Sequence, residues 1–179
     1  MIPSTIPPTL TTLTTARLTL SPPQASDFED SAAMWSDPMV TRHIGGRTST
    51  PEESWHRLLR ARGLWAVLGY GYWAARETAT GRYVGEIGFA DFRRGIQPSI
   101  DGIPEMGWAL ASWAHGKGFA SEAIIGALSW GRDQWGDAPV VCIIDPDNAP
   151  SLKLAYKMGF LEVARTTYRE APTVLLQRG

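Results

Sequence analysis

Apolar and polar residues alternate in Ala16-Arg17-Leu18-Thr19-Leu20, the period of a strand with one buried face, and Pro22-Pro23 stops it. The period then becomes helical. Phe28, Ala32 and Trp35 share a face behind Ser26 or Asp27, either of which can cap a helix, and Pro38 closes the run. Gly45-Gly46 makes a loop. Thr50-Pro51-Glu52-Glu53 opens a second helix with a hydroxyl cap, a first-position proline and acids in the first turn. Its stripe is Trp55, Leu58 and Leu59; it is expected to end near Gly63, with Leu64 to Leu68 able to prolong it.

Further along, Tyr70 to Arg76 and Tyr83 to Phe92 read as an antiparallel hairpin turning through Thr80-Gly81. Gly95 to Gly102 is a loop and Pro104 to Leu110 a strand. From about Phe119 a helix runs to Trp135, with Ile124, Leu128, Gly131 and Trp135 on one face. Val140 to Ile144 is continuously apolar, as at the centre of a sheet. Asp147 to Ser151 opens a last helix closed at Met158-Gly159, and Phe160 to Thr167 and Thr173 to Gln177 are the final strands. This order predicts one mixed α/β (α+β) domain over 16–179, without regular βαβ alternation, behind a loose tail from Met1 to Thr15.

Composition narrows the function. The chain has 179 residues, 44% hydrophobic and 20% charged, which suits one soluble domain with a core. A net charge of −1 gives no general attraction to nucleic acid or acidic membranes. One cysteine excludes an internal disulfide and a thiolate metal cluster. It lies in an apolar strand, where Cys142 is expected to be a buried, inert thiol, and a reducing cytoplasm is the expected location. His43, His56 and His115 show no metal-ligand spacing, so no metal is expected. The N-terminus lacks the regions of a secretory signal, and no stretch approaches a membrane span. Eight tryptophans are read as core bulk, with some free to line a pocket.

The segment richest in chemistry is Trp113-Ala114-His115-Gly116-Lys117-Gly118-Phe119-Ala120-Ser121-Glu122-Ala123, between a strand and a helix. Its glycines allow close backbone approach, and the unpaired N–H groups of a first helical turn favour an anion. The spacing matches neither a Walker A loop nor the Gly-x-Gly-x-x-Gly dinucleotide fingerprint. About thirty residues on, Asn148-x-x-Ser151 opens a helix that Lys157-Met158-Gly159-Phe160 closes.

This pair of motifs resembles the GNAT superfamily of acyl-CoA-dependent N-acyltransferases. There, [Gln/Arg]-x-x-Gly-x-[Gly/Ala] holds the CoA diphosphate; the matching residues are His115-Gly116-Lys117-Gly118-Phe119-Ala120, with His115 in place of Gln or Arg. The chain is most similar to the branch of ribosomal-protein N-terminal acetyltransferases. Thr15-x-Arg17-Leu18-x-Leu20, Ser36-Asp37-Pro38, Gly81-x-x-x-Gly85-x-x-Gly88 and Glu105-x-Gly107-Trp108-x-Leu110 carry that likeness in order, with the two motifs above.

The resemblance implies a GNAT fold: a twisted, mostly antiparallel mixed sheet flanked by helices, with splayed central parallel strands. It implies acetyl-CoA as cosubstrate, and direct transfer of acetyl to a primary amine, of a small molecule or a peptide, in a ternary complex. Trp108 and Leu110 would offer main-chain contacts to the pantetheine arm from a strand bulged near Gly107, and His115 to Ala120 would hold the diphosphate. Asn148 would contact pantetheine amides, and Ser151 would serve the departing thiolate; both also suit helix capping. Glu105 is the first candidate for proton acceptor, with Glu86 and Glu170 as alternates. Many relatives carry a tyrosine seven residues after the asparagine; here that place is Ala155, and Tyr156 is expected to turn toward the core. A homodimer is compatible with the resemblance. The alternative is a CoA-binding regulatory module of the same fold without turnover.

Overall fold

The computed structural model describes residues 11–179. Eight strands form one sheet in the order β1-β2-β3-β4-β5-β6-β8-β7. The strands are β1 (Leu13–Thr14), β2 (Leu18–Ser21), β3 (Tyr72–Glu77), β4 (Tyr83–Ala90), β5 (Glu105–Leu110), β6 (Val140–Ile144), β7 (Leu161–Tyr168) and β8 (Ala171–Arg178). Helices α1 (Phe28–Trp35), α2 (Pro38–Thr41), α3 (Pro51–Leu68), α4 (Phe119–Trp135) and α5 (Ala149–Lys157) complete it. Every neighbouring pair is antiparallel except β5 and β6, which are parallel. This is the mixed, mostly antiparallel α/β architecture expected.

Local chemistry accounts for the helix starts. Thr50 Oγ1 accepts from the Glu53 N–H at 3.2 Å, and Glu53 Oε2 accepts from the Thr50 N–H at 2.8 Å, a complete capping box ahead of Pro51. Helix α3 runs through Gly63 to Leu68 because Trp65 anchors its last turns: the indole is fully buried and its Nε1 donates to the Tyr72 carbonyl at 2.8 Å. At α1, Asp27 reaches back to the Gln24 N–H at 2.8 Å, across a short 3-10 turn that precedes the helix.

Tryptophans fill the main core. Trp65, Trp73 and Trp130 meet one another and Phe89 mostly edge to face, with Trp135 against Phe89 and Tyr70. Such ring pairs contribute about 0.5–1.5 kcal/mol beyond their burial. A second, smaller cluster of Met34, Trp35, Val40, Ala74, Tyr83 and Ala109 lies where α1 and α2 cover the sheet.

Three expectations are corrected. Within the described residues the expected tail is not loose: Leu13 and Thr14 pair with Leu20 and Thr19, and the Thr11 carbonyl accepts from Trp73 Nε1 at 2.7 Å. The rest of that tail, 1–10, lies outside the described residues. No bulge interrupts β5 against β4, because six successive pairs run from Gly85–Leu110 to Ala90–Glu105; the irregularity falls between β3 and β4, at Ala75/Arg76. Tyr156 does not face the core. It is 46% exposed and its hydroxyl lies 3.5 Å from Glu162, while Ala155, wholly buried, takes the inward position.

Candidate active site

The two parallel strands meet at one place. Glu105 pairs with Val141, the Val141 N–H donates to the Pro104 carbonyl at 3.0 Å, and no further residue pair joins β5 to β6. Beyond that point they part. On the other side of β5, the Ala111 N–H donates to the Val84 carbonyl at 2.9 Å. Antiparallel bonding alternates, so the N–H groups of Trp108 and Leu110 face away from β4 and into the gap. Both residues predicted for main-chain contacts therefore have their donors turned to the cleft. Gly107, just before them, is needed for space, because a β-carbon there would run into the Tyr72 hydroxyl.

The glycine turn follows. Gly116 and Gly118 have φ of 73° and 80°, values that glycine adopts without strain, and Gly118 is the N-cap of α4. Gly118 offers no capping side chain, so the amides of Phe119, Ala120 and Ser121 stay available to an external acceptor. A diphosphate fits this donor set. His115 turns its ring back: Nε2 lies 2.9 Å from the Leu110 carbonyl, away from the amides of the turn. Lys117 Nζ lies 4.8 Å from the centroid of Trp113, whose ring also carries the Arg82 guanidinium at 3.8 Å.

The sequence did not single out what braces this turn. Arg17 donates from its N–H and its Nε to the two oxygens of Glu122, each at 2.7 Å, and from Nη1 to the Lys117 carbonyl at 3.0 Å. Its guanidinium lies 4.5 Å from the Phe119 ring centroid, and Thr15 Oγ1 donates to Glu122 at 2.6 Å. Burial opposes ionisation of Glu122, but Thr15 and Arg17 outweigh it and hold its carboxyl below the usual range. The Thr15-x-Arg17 signature was legible only as a motif; its physical role is to tie the chain before and at the start of β2 to the first turn of α4.

Asn148 caps α5, its Oδ1 accepting from the Ser151 N–H at 3.2 Å, and Ser151 is partly buried in that first turn. The two residues follow β6 and so stand on the other bank of the cleft from His115 to Ala120.

The carboxylates differ sharply. Glu105 is 4% exposed, and both its oxygens accept from Arg94, at 2.6 Å from Nε and 2.8 Å from Nη2. Burial works against the Arg94 charge, but the bonds and charge of Glu105 prevail and raise the guanidinium. One guanidinium thus engages both Glu105 oxygens. Glu86 gathers three donors on Oε1: the Ser31 hydroxyl at 2.7 Å, and Trp35 Nε1 and the Tyr83 hydroxyl at 3.1 Å each. Glu170 sits in the β7–β8 turn at φ 66°. Among the described residues no group of three or more His, Cys, Asp or Glu could hold a metal ion, and no helix is long and apolar enough to cross a membrane.

Comparison with known proteins agrees with this geometry. Residues 17–161 match the acetyltransferase (GNAT) domain family. An uncharacterized N-acetyltransferase, p20, of Bacillus licheniformis is 27% identical over 150 residues, 83% of this chain and 82% of its own. A Bordetella pertussis structure described as a GNAT-family acetyltransferase is 32% identical and superposes with a TM-score of 0.83, covering 94% of this chain and 99% of its own. The ribosomal-protein-S5-alanine acetyltransferase of Vibrio fischeri shares the fold at 19% identity, with a TM-score of 0.70 over 94% of this chain and 96% of its own. With its parting parallel strands and glycine turn, the chain belongs to the GNAT acetyltransferase family and is an N-acetyltransferase.

Proposed function

We propose that this chain transfers acetyl from acetyl-CoA to a primary amine by direct attack in a ternary complex, with no acylated enzyme. The observation that carries the reading is the parting of β5 and β6 beyond Glu105 and Val141, with the Trp108 and Leu110 N–H groups turned into the gap. These donors are suited to the pantetheine arm and thioester carbonyl; one well-placed donor to a developing oxyanion is worth about 3 kcal/mol.

In this reading the amides from His115 to Ala120 hold the diphosphate, with the Lys117 ammonium, over the Trp113 ring, as a cation beside them. Asn148 spends its oxygen on the helix cap and keeps its amide N–H groups for pantetheine. The Ser151 hydroxyl serves the departing thiolate. Glu105 is the carboxylate at the point where the strands part, and as proton acceptor it competes with Arg94 for both its oxygens. The acceptor enters on the side of α1 and α2, whose buried Met34, Trp35 and Val40 fix these helices on the sheet beside Ala109. Its class is a primary amine of a small molecule or peptide. A net charge of −1 speaks against a nucleic-acid surface. The buried Cys142 thiol, pushed up by burial, suits a reducing cytoplasm. Exposed Leu161 and Val163 on the outer strand β7 support a homodimer through that edge.

Thiol release from acetyl-CoA, screened over a panel of primary amines, tests the reading. Turnover with at least one amine is expected. Tight CoA binding with no turnover on any amine would favour the regulatory module instead.

A further inference from the structure

His43 and Asp145 meet across the open end of the cleft. His43 Nδ1 lies 2.9 Å from Asp145 Oδ2, although 102 positions separate them in sequence. His43 belongs to the loop between α2 and α3, and its neighbour Ile44 packs against the cluster that holds Val40 of α2 and Ala109 near the outgoing end of β5. Asp145 is the first residue beyond β6. The contact therefore bridges the outgoing ends of the two strands that part.

The pair is built in one direction. The Asp147 N–H donates to Asp145 Oδ1 at 2.9 Å and fixes the carboxylate. Burial opposes its ionisation, but that N–H and the imidazole outweigh it and keep the carboxyl below its ordinary range. An ionised carboxylate only accepts, so the proton is assigned to His43 Nδ1 and the lone pair to Nε2. Nε2 has no hydrogen-bond partner among the described residues, and the side chain is 26% exposed. Asp145 is the charged partner of the ring; on the same loop Arg47 is turned into a two-pronged pair with Glu53. A carboxylate holding one ring nitrogen while the other stays open orients an imidazole as a base.

We propose that His43, oriented by Asp145, takes the proton from the acceptor ammonium, which makes the acceptor an amine that arrives charged. The proposal rests on the acetyl-transfer reading. An N–H bond of the ammonium breaks and its proton passes to Nε2, giving an imidazolium paired with Asp145. The freed lone pair forms the bond to the thioester carbon. Collapse breaks the C–S bond, the nitrogen gives up a second proton to the leaving thiolate, and His43 returns the first to water. Both Glu105 oxygens already accept from Arg94, whereas Nε2 of His43 has no such competitor among the described residues.

The test compares wild type, His43→Gln and Asp145→Asn in thiol release from acetyl-CoA with primary amines, from about pH 6 to about pH 10 so that the amine's own ionisation is crossed. Glutamine still offers an N–H to Asp145 but cannot take a proton. His43→Gln should lose about a hundredfold or more in kcat/KM at neutral pH, at the low end of what a general base supplies, and the deficit should shrink above the amine's own pKa. Asp145→Asn should lose less, in the same direction. CoA affinity should stay at the wild-type value in both, and Tm should fall only slightly. A His43→Gln profile that superimposes on wild type would show the pair to be only a clasp and overturn the proposal, as would a loss confined to CoA affinity or Tm. If wild type itself acetylates no amine, the acetyl-transfer reading fails and takes the dyad with it; if wild type turns over and His43→Gln matches it, the dyad alone fails.

Discussion

Glu105 stands opposite Val141, the single residue pairing between β5 and β6. Two parallel strands in the middle of a sheet ordinarily bond along their length, because unpaired backbone groups in a core are costly. Here the donors of Trp108 and Leu110 face the gap instead, so their partner has to come from outside the sheet. Glycines at 116 and 118 then bring the next helix in with its first amides uncapped. Cleft and turn together present a run of main-chain donors that the sheet and the helix leave unused, and the CoA reading rests on them.

Gly118→Val should abolish this fit. A β-branched residue at φ 80° is strained by about 1–2 kcal/mol, and its β-carbon would sit 3.4 Å from Arg17 Nη2. Calorimetric titration with CoA should show affinity reduced more than tenfold, with only a modest fall in Tm. Unchanged affinity would remove the turn from the site.

Glu122→Ala should loosen the same turn from behind. Arg17 would lose both carboxylate oxygens, and Thr15 its acceptor. The expected result is weaker CoA binding with the Trp108 side of the cleft intact, measured by titration beside Glu122→Gln, which keeps part of the bonding and should fall between the two.

Arg94→Leu tests the buried pair. Removing the guanidinium leaves Glu105 charged and unpaired in the interior, a loss of about 3–5 kcal/mol. Denaturant unfolding should show that loss, and adding Glu105→Gln to Arg94→Leu should restore much of it. Equal stability of the single and double variants would contradict the ion-pair account.

Stability against acid has a defined window at α3. The Arg47 side chain first, and the Thr50 N–H next, lower the Glu53 carboxyl from 4.5 to about 2. A carboxyl lowered in the folded state contributes stability above its unfolded pKa, and that contribution fades as pH falls from about 4.5 toward about 2. Wild type and Glu53→Gln should therefore differ in Tm at neutral pH and converge across that interval. The pair is exposed, so the difference should be small and shrink further in high salt. A Tm difference that persists below that interval would contradict the assignment.

Much of this was legible in the sequence because it is local. The alternation at Leu18 and Leu20, the Thr50 to Glu53 box and the apolar run from Val140 to Ile144 each act within a few residues. The glycine turn was legible for the same reason. What escaped depends on distant partners. Helix α3 passes Gly63, a cost of about 1 kcal/mol against alanine, because Trp65 packs under β3. Leu13 and Thr14 become a strand only because β2 offers them an edge. Tyr156 turns outward because the small Ala155 fits the tight core contact and the ring does not. The Arg94–Glu105 pair spans a loop, and Arg17–Glu122 and His43–Asp145 join ends of the chain more than a hundred positions apart; no periodicity announces such pairs.

The most direct measurement is a crystal structure grown with CoA. One CoA per chain is expected, with its diphosphate against the amides from His115 to Ala120 and its pantetheine arm bonded to the main chain of Trp108 and Leu110 between β5 and β6. CoA bound elsewhere, or a gap between those strands closed by the protein's own side chains, would contradict it.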